Sequence, residues 1–364
     1  MKYRWLLLAC FAFTGLAVAQ PQDWTMFRGT PSMVGLGGML PKAPKLLWTH
    51  EAGSGIVSTA AIAGDTVYVG TQDGKLLALK LADGKPRWIF TAGNPISSSP
   101  CVVSNAVFFG DEDGNVYAIS RANGKPLWKF RAGEKIISSP TPAPGVILIG
   151  SYDNYLYCLY AGTGKVKWKF KADAQVHCSP CVAGGVVMIA GCDGKVRAID
   201  LQTGKQRSAA EIEGNLAAAP ACADGVAYVG SLLGDYLAVR AKDGKVLWKI
   251  EQGEEGGACY AAAAVTGDAA IFASRAEKVM CLARSNGKTR WTFRMKGASD
   301  SSPVISGGTV YVGSDDGVLY GLDVKTGKKV WQFTAGAEIK ASPAIAHGRL
   351  VIGSGDGAIY CFGK

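Results

Sequence analysis

Residues 98–130 read SSPCVVSNAVFFGDEDGNVYAISRANGKPLWKF. Short runs rich in β-branched and aromatic residues alternate here with the turn dipeptides Asp113-Gly114 and Asn123-Gly124. Such dipeptides favour tight hairpins, because Asn, Asp and Gly tolerate the positive φ angles that a type I′ turn demands. The stretch is therefore predicted to be a four-stranded antiparallel meander, with strands A, B, C and D in chain order. Strand D carries Trp128.

The same unit recurs along the chain. Trp88, Trp128 and Trp168 are spaced by 40 residues, Ser208 holds the next place, and Trp248, Trp291 and Trp331 continue the ladder. Trp48 precedes it. The B–C turn recurs at Asp73-Gly74, Asp113-Gly114, Asp153-Asn154, Asp193-Gly194, Asp316-Gly317 and Asp356-Gly357, with degenerate copies near Gly234-Asp235 and Ala276-Glu277. A fixed period near 40 residues with four strands per unit is the signature of a β-propeller. The expected fold is all-β, an eight-bladed β-propeller of four-stranded antiparallel blades.

The ends define how the ring closes. The last unit stops after strand C at Ile359–Phe362, whereas the first Trp-bearing strand, Leu46–Thr49, has no A, B or C before it. An N-terminal strand completing the last blade leaves no exposed sheet edge at the seam. The propeller should occupy 46–364, preceded by an N-terminal arm over 20–45 lying across the rim. Truncation before Leu46 is then expected to be tolerated far better than truncation after His50. The seven tryptophans Trp48, Trp88, Trp128, Trp168, Trp248, Trp291 and Trp331 should dock neighbouring blades, with the weakest docking at Ser208.

Residues 1–19 read as a signal peptide. Lys2 and Arg4 precede an apolar run, and Ala17-Val18-Ala19 forms a small-x-small cleavage site. A lipoprotein box at Leu7-Leu8-Ala9-Cys10 is the rival reading, but its apolar core is short. No later stretch has the ~20 unbroken apolar residues of a membrane helix. The mature chain is expected to be periplasmic or secreted, with outer-membrane association as an option. Nine cysteines remain in it, and spacing alone fixes no disulfide pairing. The net charge of +10 raises nucleic-acid binding. A Gly-Lys turn repeated at Lys85, Lys125, Lys165, Lys205, Lys245, Lys288 and Lys328 accounts for much of it, so no nucleic-acid partner is expected.

Gly321-Leu-Asp323-Val-Lys-Thr326-Gly327-Lys328-Lys-Val-Trp331 closely resembles the docking motif Ala-x-Asp-x-x-Thr-Gly-Lys-x-x-Trp of the quinoprotein-type propeller repeat. Looser copies precede every other Trp from Trp88 onward, so the resemblance runs from Leu46 to the end. It implies either of two functions. One is that of dehydrogenases acting on alcohols or sugars with pyrroloquinoline quinone (PQQ) and Ca²⁺. The other is that of the non-catalytic BamB-like propeller of outer-membrane protein assembly. The length and single ring favour the second. The family's Ca²⁺ ligands and catalytic base do not map onto this chain, so no catalytic residue, metal or cofactor is expected.

Functional residues should lie where the repeat departs from itself. The column three residues before the strand-A proline marks the mouth of the axial channel and reads Val57, Ser97, Ile137, His177, Ala217, Tyr260, Asp300, Lys340. His177, Tyr260, Asp300 and Lys340 could bind a ligand or partner. Lys135, Gln175, Asn215 and Glu338 lie two positions earlier on the same strand face. Asp300 and Lys340 are expected to form an ion pair if the mouth is merely solvated. Blade six is irregular, with Arg275 and Glu277 in its B–C turn and Glu254 and Glu255 in the connection before it. These should share the mouth's face. The segment His177-Cys178-Ser-Pro-Cys181 suggests a metal or redox site but lacks a second ligand pair, and its Ser-Pro core belongs to the repeat. The expected role is an exported scaffold, a monomer within a larger complex, binding an envelope protein, peptide or ligand.

Overall fold

The computed structural model describes residues 23–364 as eight four-stranded antiparallel sheets arranged as a β-propeller. The signal segment 1–19 and Cys10 lie outside the described residues. In blade one, strands A to D are Ala61–Ala63, Thr66–Gly70, Lys75–Lys80 and Pro86–Thr91. The order repeats through blade seven. Blade eight takes Ala344–Ala346, Arg349–Gly353 and Ala358–Gly363 from the end of the chain and Lys45–Glu51 from its beginning. Trp48 faces Cys361 and Thr49 faces Tyr360 across that seam.

The Trp ladder docks every blade but the fourth to the next. The indole N–H of Trp88 donates to the Arg121 carbonyl of blade two at 3.1 Å, and that of Trp48 to the Leu81 carbonyl of blade one at 2.9 Å. The ring lies on the glycine of the neighbouring Gly-Lys turn. At Gly124, whose φ is +70°, a Cβ would stand 2.7 Å from a Trp88 ring carbon. This close approach, together with the left-handed backbone, explains why the motif requires glycine. Where Trp is missing, the Ser208 hydroxyl donates to the equivalent carbonyl, that of Ala241, at 2.7 Å.

The inner strands are tied by a circuit of hydroxyls. The backbone N–H of Thr59 donates to Ser99 Oγ at 3.0 Å, Ser99 to Ser139 at 2.9 Å, and Ser139 to Ser179 at 2.8 Å. Ala262 donates to Ser302 at 3.0 Å, Ser302 to Ser342 at 2.9 Å, and Ser342 to Thr59 Oγ1 at 3.2 Å. The circuit lapses where the acceptor position holds Ala219 or Ala262. Small size near the axis is thus only half the reason for these residues; each hydroxyl also satisfies an N–H of the adjoining blade.

The N-terminal arm does not lie on the rim, as the sequence suggested. It laces together the ends of the inner strands. The N–H groups of Ile62 and Val102 donate to the Trp24 and Thr25 carbonyls, each at 2.7 Å. Those of Val182, Cys222, Val265 and Ile305 donate in turn to Pro31, Ser32, Val34 and Gly35, and Gly38 donates to Ile345. Only blade three is skipped, where Pro142 offers no N–H. Trp24, Met26 and Met33 are fully buried, and so is Arg28, which donates to the Ala263 carbonyl at 2.9 Å. Burial pulls the Arg28 guanidinium down to about 9. An arm so deeply buried means that truncation before Leu46 removes core side chains as well as inner-strand hydrogen bonds.

A disulfide joins Cys181 to Cys222, on the inner strands of blades four and five, with Cα atoms 6.6 Å apart. The other cysteines of the described residues are unpaired, all buried except the half-buried Cys192.

Candidate functional site

The D–A and B–C loops share one end of the ring, and the arm closes the other. Between them lies a cup of about 130 Å³ with Phe27 at its floor and the hydroxyl circuit as its wall. Val57, Ser97, Ile137, His177, Ala217, Tyr260, Asp300 and Lys340 all line it, so the structure assembles the whole mouth column.

The polar members form an arc across the mouth. Lys135 Nζ stands 4.5 Å from the Tyr152 ring centroid. The Tyr152 hydroxyl and His177 Nδ1 share a 2.6 Å hydrogen bond. The His177 and Tyr260 rings meet edge to face at 6.1 Å, and the Arg275 guanidinium lies 4.2 Å from the Tyr260 centroid. Arg275 then grips Asp300 with both prongs, Nε to Oδ1 at 2.8 Å and Nη2 to Oδ2 at 2.7 Å. Burial lowers the His177 pKa, helped by nearby Lys135 and opposed by Asp300. Burial raises the Tyr152 phenol to about 12.

The expected Asp300–Lys340 pair is not formed. Asp300 is held by Arg275, and Lys340 stands 3.9 Å from Glu338. Asp300 follows strand D of blade six, and the B–C turn of that same blade reaches it first. Glu255 and Glu277 share the face but line a separate groove of about 460 Å³, together with Arg275, Lys278 and Arg294. There Lys278 Nζ lies 3.2 Å from the Glu255 carboxylate. Residues Gly253–Glu255 form a single 3₁₀ turn, and the Glu254 side chain lies outside the described residues.

Of a second column of mouth residues, the sequence reading named only Arg275. The B–C turns open on Gln72, Glu112, Tyr152, Cys192, Leu232, Arg275, Asp315 and Gly355. Gln72 meets Ser97, Tyr152 meets His177 and Arg275 meets Asp300, each across 25 residues. The signal was present as a second variable position with the period of the repeat. Asp315 belongs to this column, and burial followed by the nearby Asp300 charge raises its pKa.

His177-Cys178-Ser-Pro-Cys181 does not converge on one point. Cys181 is bridged to Cys222, while Cys178 Sγ accepts the Ala190 N–H at 3.2 Å and burial pushes its thiol up to about 12. Among the described residues, no three His, Cys, Asp or Glu side chains gather as metal ligands. Ca²⁺ takes about six to eight oxygens, and pockets for ligands of drug size run to about 300–1,000 Å³. The cup encloses about 130 Å³, below that range, and its one wall carboxylate, Asp300, is held by Arg275.

Eight four-stranded blades, docked by Trp on Gly around an axial mouth, define a propeller of the quinoprotein type. The chain belongs to the family described as outer membrane protein assembly factor BamB, whose model matches residues 41–145, 112–260 and 238–363. Among solved structures, BamB from Moraxella catarrhalis is similar at 16% identity and a TM-score of 0.77, over 88% of this chain and 100% of that one. The quinohemoprotein alcohol dehydrogenase of Comamonas testosteroni is similar at 13% identity and a TM-score of 0.83, over 95% of this chain and 81% of that one. A europium-containing methanol dehydrogenase gives 13% identity and a TM-score of 0.81, over 95% and 99% of the two chains. Identities so low speak for the shared fold alone. No curated protein matches the chain.

Proposed function

We propose that this chain is an exported, non-catalytic scaffold that recognises a polypeptide partner of the cell envelope through the channel-mouth face, in the manner of an outer-membrane assembly propeller. The observation that carries this reading is the shape and chemistry of the mouth. A shallow cup with a closed floor is ringed by aromatic and charged side chains on loops of a rigid scaffold, the setting in which binding residues commonly sit. Tyr and Arg, enriched where protein interfaces concentrate their energy, meet here as Tyr152, Tyr260 and Arg275. The family match supports the same reading. Against a quinone dehydrogenase stand the small cup and, among the described residues, the absence of any cluster of three His, Cys, Asp or Glu side chains. Among the described residues, no helix is long and apolar enough to cross a membrane; the chain is read as a monomer that joins a larger envelope complex.

The test uses the double variant Arg275→Ala/Lys340→Ala. The wild-type chain should recover a defined envelope polypeptide, and the variant should lose at least tenfold of it while melting normally. In parallel, the chain is titrated with PQQ and Ca²⁺ and offered an alcohol with a reducible dye. Dye reduction would replace the scaffold reading with the dehydrogenase one.

A further inference from the structure

The missing rung of the ladder leaves an opening on the face opposite the mouth. Strand D of blade four carries Ser208 where the other blades carry Trp, and the row across that blade runs Cys181, Met188, Ala198, Ser208. Between blades four and five lies a cavity of about 490 Å³ whose apolar lining includes Ala183, Val186, Met188, Cys222, Val226 and Ala241. Its wall is more apolar than that of the channel mouth. The Gly244 turn has moved in on one side, where a Cβ would stand 2.3 Å from the Ala209 carbonyl instead of meeting an indole. The rest of the space stays open. The Cys181–Cys222 disulfide ties the same two blades from the inside, so their union does not depend on a ring filling the gap.

We infer that this slot is a binding site for a tryptophan side chain presented by a partner polypeptide with acidic flanking residues. The fold itself supplies the template for the occupant. At six of the other seven rungs an indole donates its N–H to the equivalent of the Ala241 carbonyl, as Trp168 does to Leu201 at 3.0 Å, while Trp331 donates to Pro44 at 3.2 Å. Ser208 does not itself line the cavity, but its Oγ donates its proton to Ala241, which does, and keeps its lone pairs to accept an indole N–H that enters beside that carbonyl. Apolar cavities left by a missing side chain take up apolar rings of matching size. The rim supplies the charge preference. Arg207, Arg240 and the one carboxylate of the lining, Asp224, are paired with Asp200, Asp243 and Arg284, whereas Lys242 carries no ion pair among the described residues and stands at the opening. A carboxylate beside the tryptophan would meet it.

The probes are N-acetyl-tryptophanamide and a short acidic peptide with a single central Trp, read by ligand-observed NMR and calorimetry on the mature chain. The amide should bind with a Kd in the millimolar range. The peptide should bind at least tenfold tighter, weakening as salt rises. Replacing the peptide's Trp by Ala, or introducing Ser208→Trp or Ala183→Phe to fill the slot, should each weaken binding at least tenfold. Arg275→Ala at the mouth should leave it unchanged, which separates this site from the proposed partner face. Equal binding of the Trp and Ala peptides, no binding to the wild-type chain, or full binding to both filled variants would each overturn the inference.

Discussion

Replacing Trp24 by alanine should destabilise the protein by about 3–5 kcal/mol, the range for removing a buried large aromatic from a core. Trp24 is 1% exposed and packs in the cluster that spans blades seven, eight and one. Its ring lies so close over Gly29 that a Cβ there would stand 2.7 Å away. Its backbone exchanges hydrogen bonds with Ile62 in both directions, at 2.8 and 2.7 Å, and alanine keeps both. The loss is therefore one of packing and cavity, offset in part because the buried indole N–H, which has no hydrogen-bond partner among the described residues, leaves with the ring. It would be a large part of the about 5–15 kcal/mol that holds a typical native state. Urea denaturation of the two chains, read by far-UV circular dichroism, measures it as a lowered midpoint at unchanged slope. A loss below about 1 kcal/mol, the usual effect of a substitution in a loose surface segment, would refute the account of the arm as an integral floor.

Three further outcomes follow from the packing. Ser208→Trp should stabilise by about 1 kcal/mol, less than a full rung, because the ring's burial gain of about 1.5–3 kcal/mol is offset by pushing back the Gly244 turn; denaturation midpoints check it, and a net loss would mean that the gap has closed. Ser302→Ala should cost about 1–3 kcal/mol by leaving the buried N–H of Ala262 without its acceptor, whereas Ala262→Ser should cost less in the same assay. His177 should make the protein acid-sensitive: its folded pKa lies below the ordinary value near 6.5, so the unfolded chain takes up a proton first and stability falls as pH drops below about 6.5. In His177→Gln the loss of stability between pH 7 and pH 5 should be smaller than in the wild type.

The sequence reached the architecture because its signals are local and repeated. Asp-Gly turns and a Trp every 40 residues specify blades, and the unpaired ends at Leu46 and Phe362 specify the seam. The mouth column was legible for the same reason, since the strand-A proline fixes its register. The path of the arm was not legible. Its Gly- and Pro-rich stretch has no period, and its partners are inner-strand N–H groups spread through nearly the whole chain. The hydroxyl circuit was not legible either, because a hydrogen bond from one blade to the next leaves no local pattern. The partner of Asp300 was misassigned because periodicity places residues of one column side by side. It does not reveal which loop of the preceding blade leans over them, and there Arg275 reaches Asp300 before Lys340 does.

The central claim, recognition of a polypeptide through the channel mouth, is tested most directly by site-specific photo-crosslinking in intact envelopes. A photoreactive residue replaces Tyr260 or Lys340 at the mouth, or Lys85 or Lys125 in the turns of the opposite face. The account predicts one discrete polypeptide adduct from the mouth positions, lost when Arg275→Ala is added, and none from the two lysine turns. Adducts from the turns with a silent mouth, or mouth adducts indifferent to Arg275→Ala, would contradict it.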